Sequence, residues 1–235
     1  MEPTAKSLRA ALRAVADPVR AAASARFFKT GKGEYAEGDV FLGVTVPEQR
    51  RLVRAAGPVP LAESLRLLEG GAHEERLVAL LAMVRAFERG DEATRTAIAK
   101  AYLAHLRWVD NWDLVDSSAP YILGTWLLAR DRKVLRRLAR SKVLWERRVA
   151  MLATFAFIRA GEVDDALAIA EMLLDDPHDL IHKAVGWMLR EVGKRVDVDV
   201  LRSFLRQHGA RMPRTALRYA IEHLSPAERK RWLAG

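Results

Sequence analysis

The feature that most restricts the fold of this chain is an apolar pattern with the period of an α-helix, interrupted at regular intervals. Apolar residues recur at spacings of three and four, as in LVALLAMV at 77–84, and the alternation typical of β-strands is scarce. Because helix-length segments separate the breakers, the pattern predicts an all-α fold. The breakers are Gly57-Pro58, Gly70-Gly71, Gly90-Asp91, Gly161, Asp176-Pro177 and Gly209 with Pro213.

From residue 57 onward the predicted helices form pairs: 60–70 with 73–88, 91–106 with 111–128, 131–141 with 144–160, 163–175 with 178–195, and 197–208 with 212–223, before a last helix that begins near Ser225 and Pro226. The second helices share a pattern, as in EERLVALLAMV, WERRVAMLATF, LIHKAVGWML and MPRTALRYAI. Counting the helix predicted from residue 111, their starts lie about 31 to 37 residues apart, within the range of two-helix repeats. This favours a helical repeat array; the alternative is an irregular all-α domain.

The first 56 residues do not follow the repeat. Helices are predicted over 4–16 and 18–29, before a loop, TGKGEYAEGD, at 30–39. The glycines of this loop lack the G-x-G-x-x-G spacing of a dinucleotide site. Lys32 in the loop is a candidate for phosphate contact, and a solvated connection is the alternative. We therefore predict a single domain over 1–235, with a helical cap over 1–56 and helix-pair repeats over 57–235.

The balance of charge points to a polyanionic partner. The chain has 39 Lys and Arg against 30 Asp and Glu, a net charge of +9 and an isoelectric point near 10.1. Nucleic acid is the first candidate and an acidic membrane surface the second. The absence of cysteine excludes disulfides, thiolate metal sites and cysteine nucleophiles. Without an apolar signal core or a run of about 18 apolar residues, we expect a cytoplasmic protein that does not span a membrane.

The helix predicted over 178–195 has a basic face that carries an aromatic residue. At 100° per residue, four side chains fall within about 60° of one another, namely Lys183, Trp187, Arg190 and Lys194. The apolar side chains lie on the opposite face, namely Ile181, Val185, Met188 and Val192. Burial of Trp187 would draw its cationic neighbours inward, so we interpret this face as a nucleic-acid contact in preference to core packing.

The segment LRWVDNWDLVDSSAP at 106–120 combines acids with tryptophan. Trp112 and Asp116 are four residues apart and therefore share a helix face. Beside an aromatic ring on a basic protein, a carboxylate is suited to stabilise a developing cation or to orient water. In the alternative interpretation, Asp113 and Asp116 cap a helix or pair with arginines.

Two further motifs carry residue types that can bind phosphate or metal. Arg147 and Arg148 open the strongly apolar segment LWERRVAMLATFAFIRA at 144–160 and require a partner, either Asp116 or DNA phosphate. HDLIH at 178–182 resembles the zinc-binding H-E-x-x-H motif, but aspartate is short for the role of the base and no third ligand is evident. We predict no metal and no cofactor.

Four blocks of the sequence resemble the AlkD-type DNA alkylation repair enzymes. They are ARFFKTGKGEYAEGDVFLGVTVPEQRR, NWDLVDSSAPYILGTWL, WERRVAML and IHKAVGWMLREVGK, and the resemblance extends from about residue 25 to 223. It implies HEAT-like repeats with a concave basic groove for duplex DNA. It also implies excision of positively charged alkylated purines, chiefly N3-methyladenine and N7-methylguanine, without base flipping.

The resemblance also assigns roles to residues. Asp116 matches the family's catalytic carboxylate, Trp112 and Trp187 match the tryptophans that flank the deoxyribose of the lesion, and Arg148 matches the arginine that holds the backbone. Phe27 and Thr45 stand where members of the family have tyrosine and glutamine, which puts rate or lesion range in doubt. The expected catalytic residues are Asp116, Trp112 and Trp187. The expected DNA-binding residues are Arg148, Arg147, Lys183, Arg190, Lys194, Phe27, Thr45 and Lys32.

The resulting prediction is a monomeric, monofunctional DNA glycosylase of base excision repair. No lysine nucleophile is implied and the helix-hairpin-helix motif of other glycosylases is absent, so neither lyase activity nor base flipping is expected. The predicted partner is duplex DNA that contains alkylated purines, in the cytoplasm and associated with the nucleoid. The alternatives are a non-catalytic binder of DNA structure on the same scaffold and a helical scaffold that binds proteins.

Overall fold

The computed structural model describes residues 3–234, and its regular structure in that range is helical. The sole β-type pairing within it is an isolated parallel bridge between Val40 and Ala72. The predicted all-α helical repeat fold is therefore confirmed. The chain divides into two compact units, Met1–Ser118 and Ala119–Gly235, which we call unit 1 and unit 2. The predicted division into a cap over 1–56 and repeats over 57–235 stays a prediction.

Unit 1 contains seven α-helices in its described part: α1 (Ala5–Ala14), α2 (Pro18–Phe27), α3 (Val46–Ala56), α4 (Leu61–Leu68), α5 (His73–Arg89), α6 (Glu92–Ala104) and α7 (Trp112–Asp116). Local sequence explains where several begin. Asp17 accepts hydrogen bonds from the Val19 and Arg20 amides at the start of α2, and Asp91 accepts one from Thr94 at the start of α6. A 3-10 turn, Leu106–Trp108, separates α6 from α7.

Helix α5 forms the centre of unit 1. It is buried without interruption from His73 to Met83, and α1, α3, α4, α6 and α7 all pack against it. Its inner side chains are mostly apolar, as the sequence pattern predicts, but its first turn is charged. Burial of that charged turn determines how the N-terminal segment and α7 attach to the helix.

Unit 2 contains nine α-helices in its described part: α8 (Thr125–Leu127), α9 (Lys133–Ala139), α10 (Leu144–Ala153), α11 (Phe155–Arg159), α12 (Asp164–Met172), α13 (Asp179–Arg195), α14 (Val198–His208), α15 (Arg214–Ala220) and α16 (Pro226–Ala234). Two of the three helix pairs predicted in this unit pack together, α9 with α10 and α12 with α13, whereas α14 and α15 each pack mainly against α13. Successive second helices also pack on each other, α10 with α13 and α13 with α15, as expected for a repeat array.

Two predicted helices are interrupted. The helix predicted over 111–128 ends at Asp116 and resumes as a π-helical turn, Pro120–Gly124, because Pro120 has no N–H to continue the helix. A Cβ at Gly124 would collide with the Ala153 carbonyl oxygen, so the glycine allows close packing there. The helix predicted over 144–160 breaks at Thr154, whose hydroxyl donates to the Met151 carbonyl at 2.7 Å.

Candidate functional site

Helix α7 carries the two residues that the sequence singled out in unit 1. Asn111, fully buried, begins the helix by accepting the Trp112 N–H at 2.8 Å. One helical turn later the chain reaches Asp116, so Trp112 and Asp116 lie on the same side of α7, and both are half-buried. The shared face predicted from their spacing is therefore present.

The C-terminal end of α7 is held by a buried hydroxyl pair. Tyr102 on α6 is fully buried, and its hydroxyl lies 3.0 Å from that of Ser118, which donates to the Leu114 carbonyl at 2.6 Å. Burial raises the pKa of Tyr102, and the negative charge of Asp116 raises it further, against the hydrogen bond with Ser118. The Tyr102 hydroxyl thus stays protonated close to Asp116.

Trp112 is part of an aromatic cluster in unit 1, which consists of Phe27, Phe28, Phe41, His73 and Trp112. The Trp112 ring stacks on Phe28 with centroids 5.2 Å apart, Phe28 stacks on Phe41 at 4.9 Å, and Phe41 stacks on His73 at 4.5 Å. Phe27 meets Trp112 edge-on at 6.0 Å and is 67% exposed. The cluster fixes the plane of the tryptophan and leaves Phe27 at its exposed edge.

Beneath the aromatic cluster lies a charged network that the sequence interpretation did not foresee. His73, 2% exposed, faces Asp39 through Nδ1 at 2.9 Å and Asp113 through Nε2 at 2.8 Å. Arg76, one turn along α5, donates to Asp39 at 2.6 Å and pairs with Asp110 at 3.2 Å. Asp113, expected to cap a helix or pair with an arginine, has a histidine partner. The available signal was the charged run HEER at the start of an otherwise apolar helix.

Both ring nitrogens of His73 face carboxylates, which only accept hydrogen bonds, so the ring is an imidazolium. Burial alone would lower the pKa of His73. The hydrogen bonds to Asp113 and Asp39, together with their negative charges, outweigh burial and raise that pKa to about 9. Burial likewise opposes ionisation of Asp39, but His73 and Arg76 hold the pKa of that carboxyl below its usual value.

The remaining predicted residues of unit 1 lie in the segment that joins α2 to α3. Lys32 is exposed in the loop at 30–39. Thr45 precedes α3, and its hydroxyl donates to Glu48 at 2.7 Å, while Glu48 also accepts the Thr45 N–H at 2.9 Å. Thr45 therefore serves the capping box of α3 in this structure.

In unit 2, α13 divides as the helical wheel predicts. The four apolar residues are fully buried, and Trp187 is half-buried on the other side, with its ring 6.2 Å from Phe155. Lys183 pairs with Asp179 at 2.8 Å, and Lys194 is exposed. The apolar face of α13 is thus confirmed, and Trp187 is not part of the core. The buried four are Ile181, Val185, Met188 and Val192.

An acid lies within the basic face of α13. Glu191 is 5% exposed, accepts the Trp187 indole N–H at 3.3 Å and accepts Arg195 Nε at 2.5 Å. Burial would raise the pKa of Glu191, but Arg195 and Arg190 beside it lower that pKa, so the carboxylate is charged. Arg190 pairs with both Glu222 and Glu191. The basic face is therefore partly neutralised, and Glu191 orients the ring of Trp187.

The two arginines at the start of α10 have different surroundings. Arg147 donates from Nε to Asp176 at 2.5 Å and from Nη1 to the Ser141 carbonyl at 3.0 Å. The partner of Arg147 is thus Asp176, a residue of its own unit. Arg148 is buried and donates to the Leu180 carbonyl at 2.5 Å.

The histidines of the HDLIH segment have structural roles. The His178 side chain accepts the Leu180 N–H at 3.1 Å and caps α13, and His182 Nε2 lies 2.5 Å from the Asp176 carbonyl oxygen. Within residues 3–234, no group of three potential metal-ligating side chains is close enough to hold an ion. The same range contains no helix that is long and apolar enough to cross a membrane.

The fold and these side chains define a helical-repeat protein with an excess of cations and a carboxylate–tryptophan pair on a short helix. The chain belongs to the family of DNA alkylation repair enzymes, whose model matches residues 8–224. Its function therefore lies in DNA alkylation repair, which implies binding to DNA.

Among solved structures, the chain is similar in fold to one described as a predicted DNA alkylation repair enzyme from Enterococcus faecalis. The TM-score is 0.68 at 18% sequence identity, over 90% of this chain and 97% of that chain. At this identity the similarity supports the shared fold. Comparison with curated protein sequences gives no match.

Proposed function

We propose that the protein is a monofunctional DNA glycosylase of base excision repair. Its substrates would be positively charged alkylated purines, N3-methyladenine and N7-methylguanine, in duplex DNA, with hydrolysis of the N-glycosidic bond and no base flipping. The observation that carries the proposal is the half-buried Asp116 carboxylate one helical turn from the stacked Trp112 on α7. Family membership supports a role in DNA alkylation repair.

The chemistry of such a lesion matches this pair of side chains. An N-alkylated purine already carries a positive charge, so it leaves with the electron pair of the glycosidic bond as a neutral base and needs no acid to protonate it. Positive charge then develops on the deoxyribose. Asp116 would stabilise that charge and accept a proton from water as the water oxygen bonds to C1′. Trp112 and Trp187 would favour cationic character by about 1–2 kcal/mol each when desolvated.

Contacts with the DNA backbone are assigned to cationic and aromatic side chains of both units. Lys32 and Lys194 are exposed cations suited to phosphate contact. Arg147 and Arg190 already pair with carboxylates, so phosphate would have to share them. The full proposed set is Phe27, Lys32, Thr45, Arg147, Arg148, Lys183, Arg190 and Lys194.

The decisive variant is Asp116→Asn, which removes the charge and keeps the shape of the side chain. We expect release of N7-methylguanine and N3-methyladenine from methylated duplex DNA to fall by about 10²-fold or more, because the developing cation loses its counter-charge. Released bases are identified by mass spectrometry under single-turnover conditions, and affinity for undamaged duplex is measured in parallel.

Glu88→Gln is the matched control, since it removes one negative charge from an exposed side chain of the same unit. That variant should release bases at the rate of the unmodified protein. Undiminished release by Asp116→Asn would overturn the mechanism. DNA binding by an unmodified protein that releases no base would instead support the alternative of a non-catalytic binder.

A further inference from the structure

Helix α5 begins with four consecutive charged residues, all of them buried. His73, Glu74, Glu75 and Arg76 are 2%, 3%, 4% and 6% exposed. A buried charge is strongly unfavourable unless it is paired and hydrogen-bonded, so each of these side chains requires a partner from another segment. The first turn of α5 is therefore an attachment point for other parts of unit 1.

The partners of this turn come from two directions along the chain. Glu74 accepts the N–H groups of Leu42, Gly43 and Val44 at 2.8–3.2 Å, which fixes the segment before α3. His73 joins Asp39 of that N-terminal segment to Asp113 of α7. His73 is thus the one residue of the turn that bonds directly to α7 within the described part of the chain.

The His73 ring is held in every direction. The hydrogen bonds of Nδ1 and Nε2 restrict rotation within the plane of the ring, and stacking on Phe41 and contact with Phe28 at 5.0 Å restrict tilting. The charged groups around the ring are Asp39, Asp110 and Asp113 from the neighbouring segments and Arg76 from α5 itself. A ring held in this way can fix the orientation of the side chains that it binds, here Asp39 and Asp113.

Helix α7 needs external support because it is only five residues long. A single turn gains few internal hydrogen bonds for the residues it orders. Asp113 is its second residue, lying one position after Trp112 and three before Asp116. The Asp113 carboxylate binds His73 through Oδ2 and accepts the Leu114 N–H through Oδ1 at 2.9 Å. A shift of Asp113 would therefore displace both Trp112 and Asp116.

We propose that His73 is a positioning residue for the reaction at α7, acting through its hydrogen bond to Asp113 to hold Trp112 and Asp116 in their productive orientation. This role rests on the glycosylase function proposed above. Because His73 is only 2% exposed, it would act without touching DNA or the reacting atoms. Its effect is on geometry, and small displacements of catalytic groups reduce rates by large factors.

Two amide substitutions separate the two hydrogen bonds of the ring. The amide nitrogen of asparagine reaches the position of Nδ1, so His73→Asn retains a donor to Asp39 and loses the bond to Asp113. The amide nitrogen of glutamine reaches the position of Nε2, so His73→Gln retains the bond to Asp113 and loses the one to Asp39. Each variant removes the same imidazolium charge and one hydrogen bond, which makes each the control for the other.

Single-turnover release of N7-methylguanine is measured for both variants, together with the unfolding temperature and the affinity for undamaged duplex. We expect His73→Asn to be slower than His73→Gln by about tenfold or more, with similar unfolding temperatures and similar DNA affinity. Equal rates, or rates that simply follow the unfolding temperatures, would overturn the positioning role.

A second pair of variants covers the case in which both His73 variants fail to fold. Asp113→Asn keeps one oxygen that can accept from His73 Nε2, while its amide nitrogen replaces the acceptor of the Leu114 N–H; Asp113→Ala removes both acceptors. Because both variants lose the acceptor of the Leu114 N–H, the positioning role requires that Asp113→Asn be faster than Asp113→Ala by about tenfold or more at a similar unfolding temperature. A wild-type rate in folded Asp113→Ala would contradict it.

Failure of the glycosylase function is recognised separately. If the unmodified protein releases no base, that function is rejected. The hydrogen exchange of backbone amides then tests whether His73 holds α7 in place. The Val115 amide of α7 and the Ser117 amide at its C-cap should exchange faster in His73→Asn than in His73→Gln, because only the former frees Asp113. Equal exchange would overturn the positioning role regardless of activity.

Discussion

At the scale of single residues, two proton positions follow from the hydrogen bonds. The Ser118 hydroxyl donates to the Leu114 carbonyl, so the Tyr102 hydroxyl must donate to Ser118. The proton of this phenol is therefore not available to Asp116, although the two residues are close enough for the charge of Asp116 to raise the pKa of Tyr102. Tyr102 supports the helix without neutralising the acid.

Glu74 offers a test of hydrogen bonding at this scale. One carboxylate accepts three backbone N–H groups, from Leu42, Gly43 and Val44. Glu74→Gln replaces one accepting oxygen with an N–H donor that faces other donors. We expect the free energy of unfolding to fall by about 2–3 kcal/mol, measured by urea denaturation.

Glu37→Gln is the matched control in the same segment, since Glu37 is exposed and accepts a single N–H, from Gly33 at 2.8 Å. Its effect should stay within about 0.5 kcal/mol. A loss of similar size in both variants would show that Glu74 is no more important than a surface carboxylate.

Residue spacing predicted the relation between Trp112 and Asp116, because two positions on one turn need no tertiary information. It could not predict the partners of Arg147 or His73. Asp176 is 29 residues from Arg147, and Asp113 is 40 residues from His73, so each pair depends on how helices pack. Glu191 was missed for another reason, since a single acid among cations looks solvent-exposed on a helical wheel.

At the scale of elements, the division of α13 into apolar and basic faces could be predicted from periodicity, and the interruption after Asp116 could not. The α13 pattern is local and repeats over several turns. The π-helical turn depends on Pro120 together with the close approach of Gly124 to Ala153, which is a tertiary contact. Helix α7 is short because Pro120 follows it closely. It is supported by His73 of α5 and Tyr102 of α6.

His73 joins α5, α7 and the segment between α2 and α3, and its protonation predicts that the stability of the protein depends on pH. The folded pKa of His73 is about 9, above its ordinary value of about 6.5, so folding is favoured by proton binding. This contribution is fully present below about pH 6.5 and is lost as the pH rises through 9, a total of about 3 kcal/mol. Asp39 acts in the opposite range, because its lowered pKa gives stability that is lost in acid.

Urea denaturation at intervals from pH 6 to 10 measures this contribution. The same series on His73→Gln is the control, because that variant has no proton to lose at this position. The difference in free energy of unfolding between the two proteins should shrink toward alkaline pH. A constant difference across the range would show that His73 is not charged in the folded state.

At the scale of the whole molecule, the net charge of +9 predicts that affinity for DNA has a large electrostatic part that does not depend on sequence. Each cation that neutralises a phosphate releases a counterion, so affinity for undamaged duplex should fall steeply as salt increases. Lys194→Ala should reduce the slope of log affinity against log salt by about 1, and Lys32→Ala should do the same. Titration at several salt concentrations gives this slope.

Lys133→Ala serves as the matched control, since Lys133 is an exposed cation that already pairs with Asp131 at 3.0 Å. Its slope should remain that of the unmodified protein. Equal changes of the slope in all three variants would indicate that affinity for DNA depends on net charge alone. Lys32 and Lys194 would then no longer be proposed as contacts.

The buried charges at the start of α5 also set an order of events for folding. Their partners lie on both sides along the chain, with Asp39 34 residues before His73 and Asp113 40 residues after it. Until both segments arrive, the first turn of α5 has charges that must remain in water. We therefore expect the apolar middle of α5 to collapse early and its first turn to close last, when the N-terminal segment and α7 dock together.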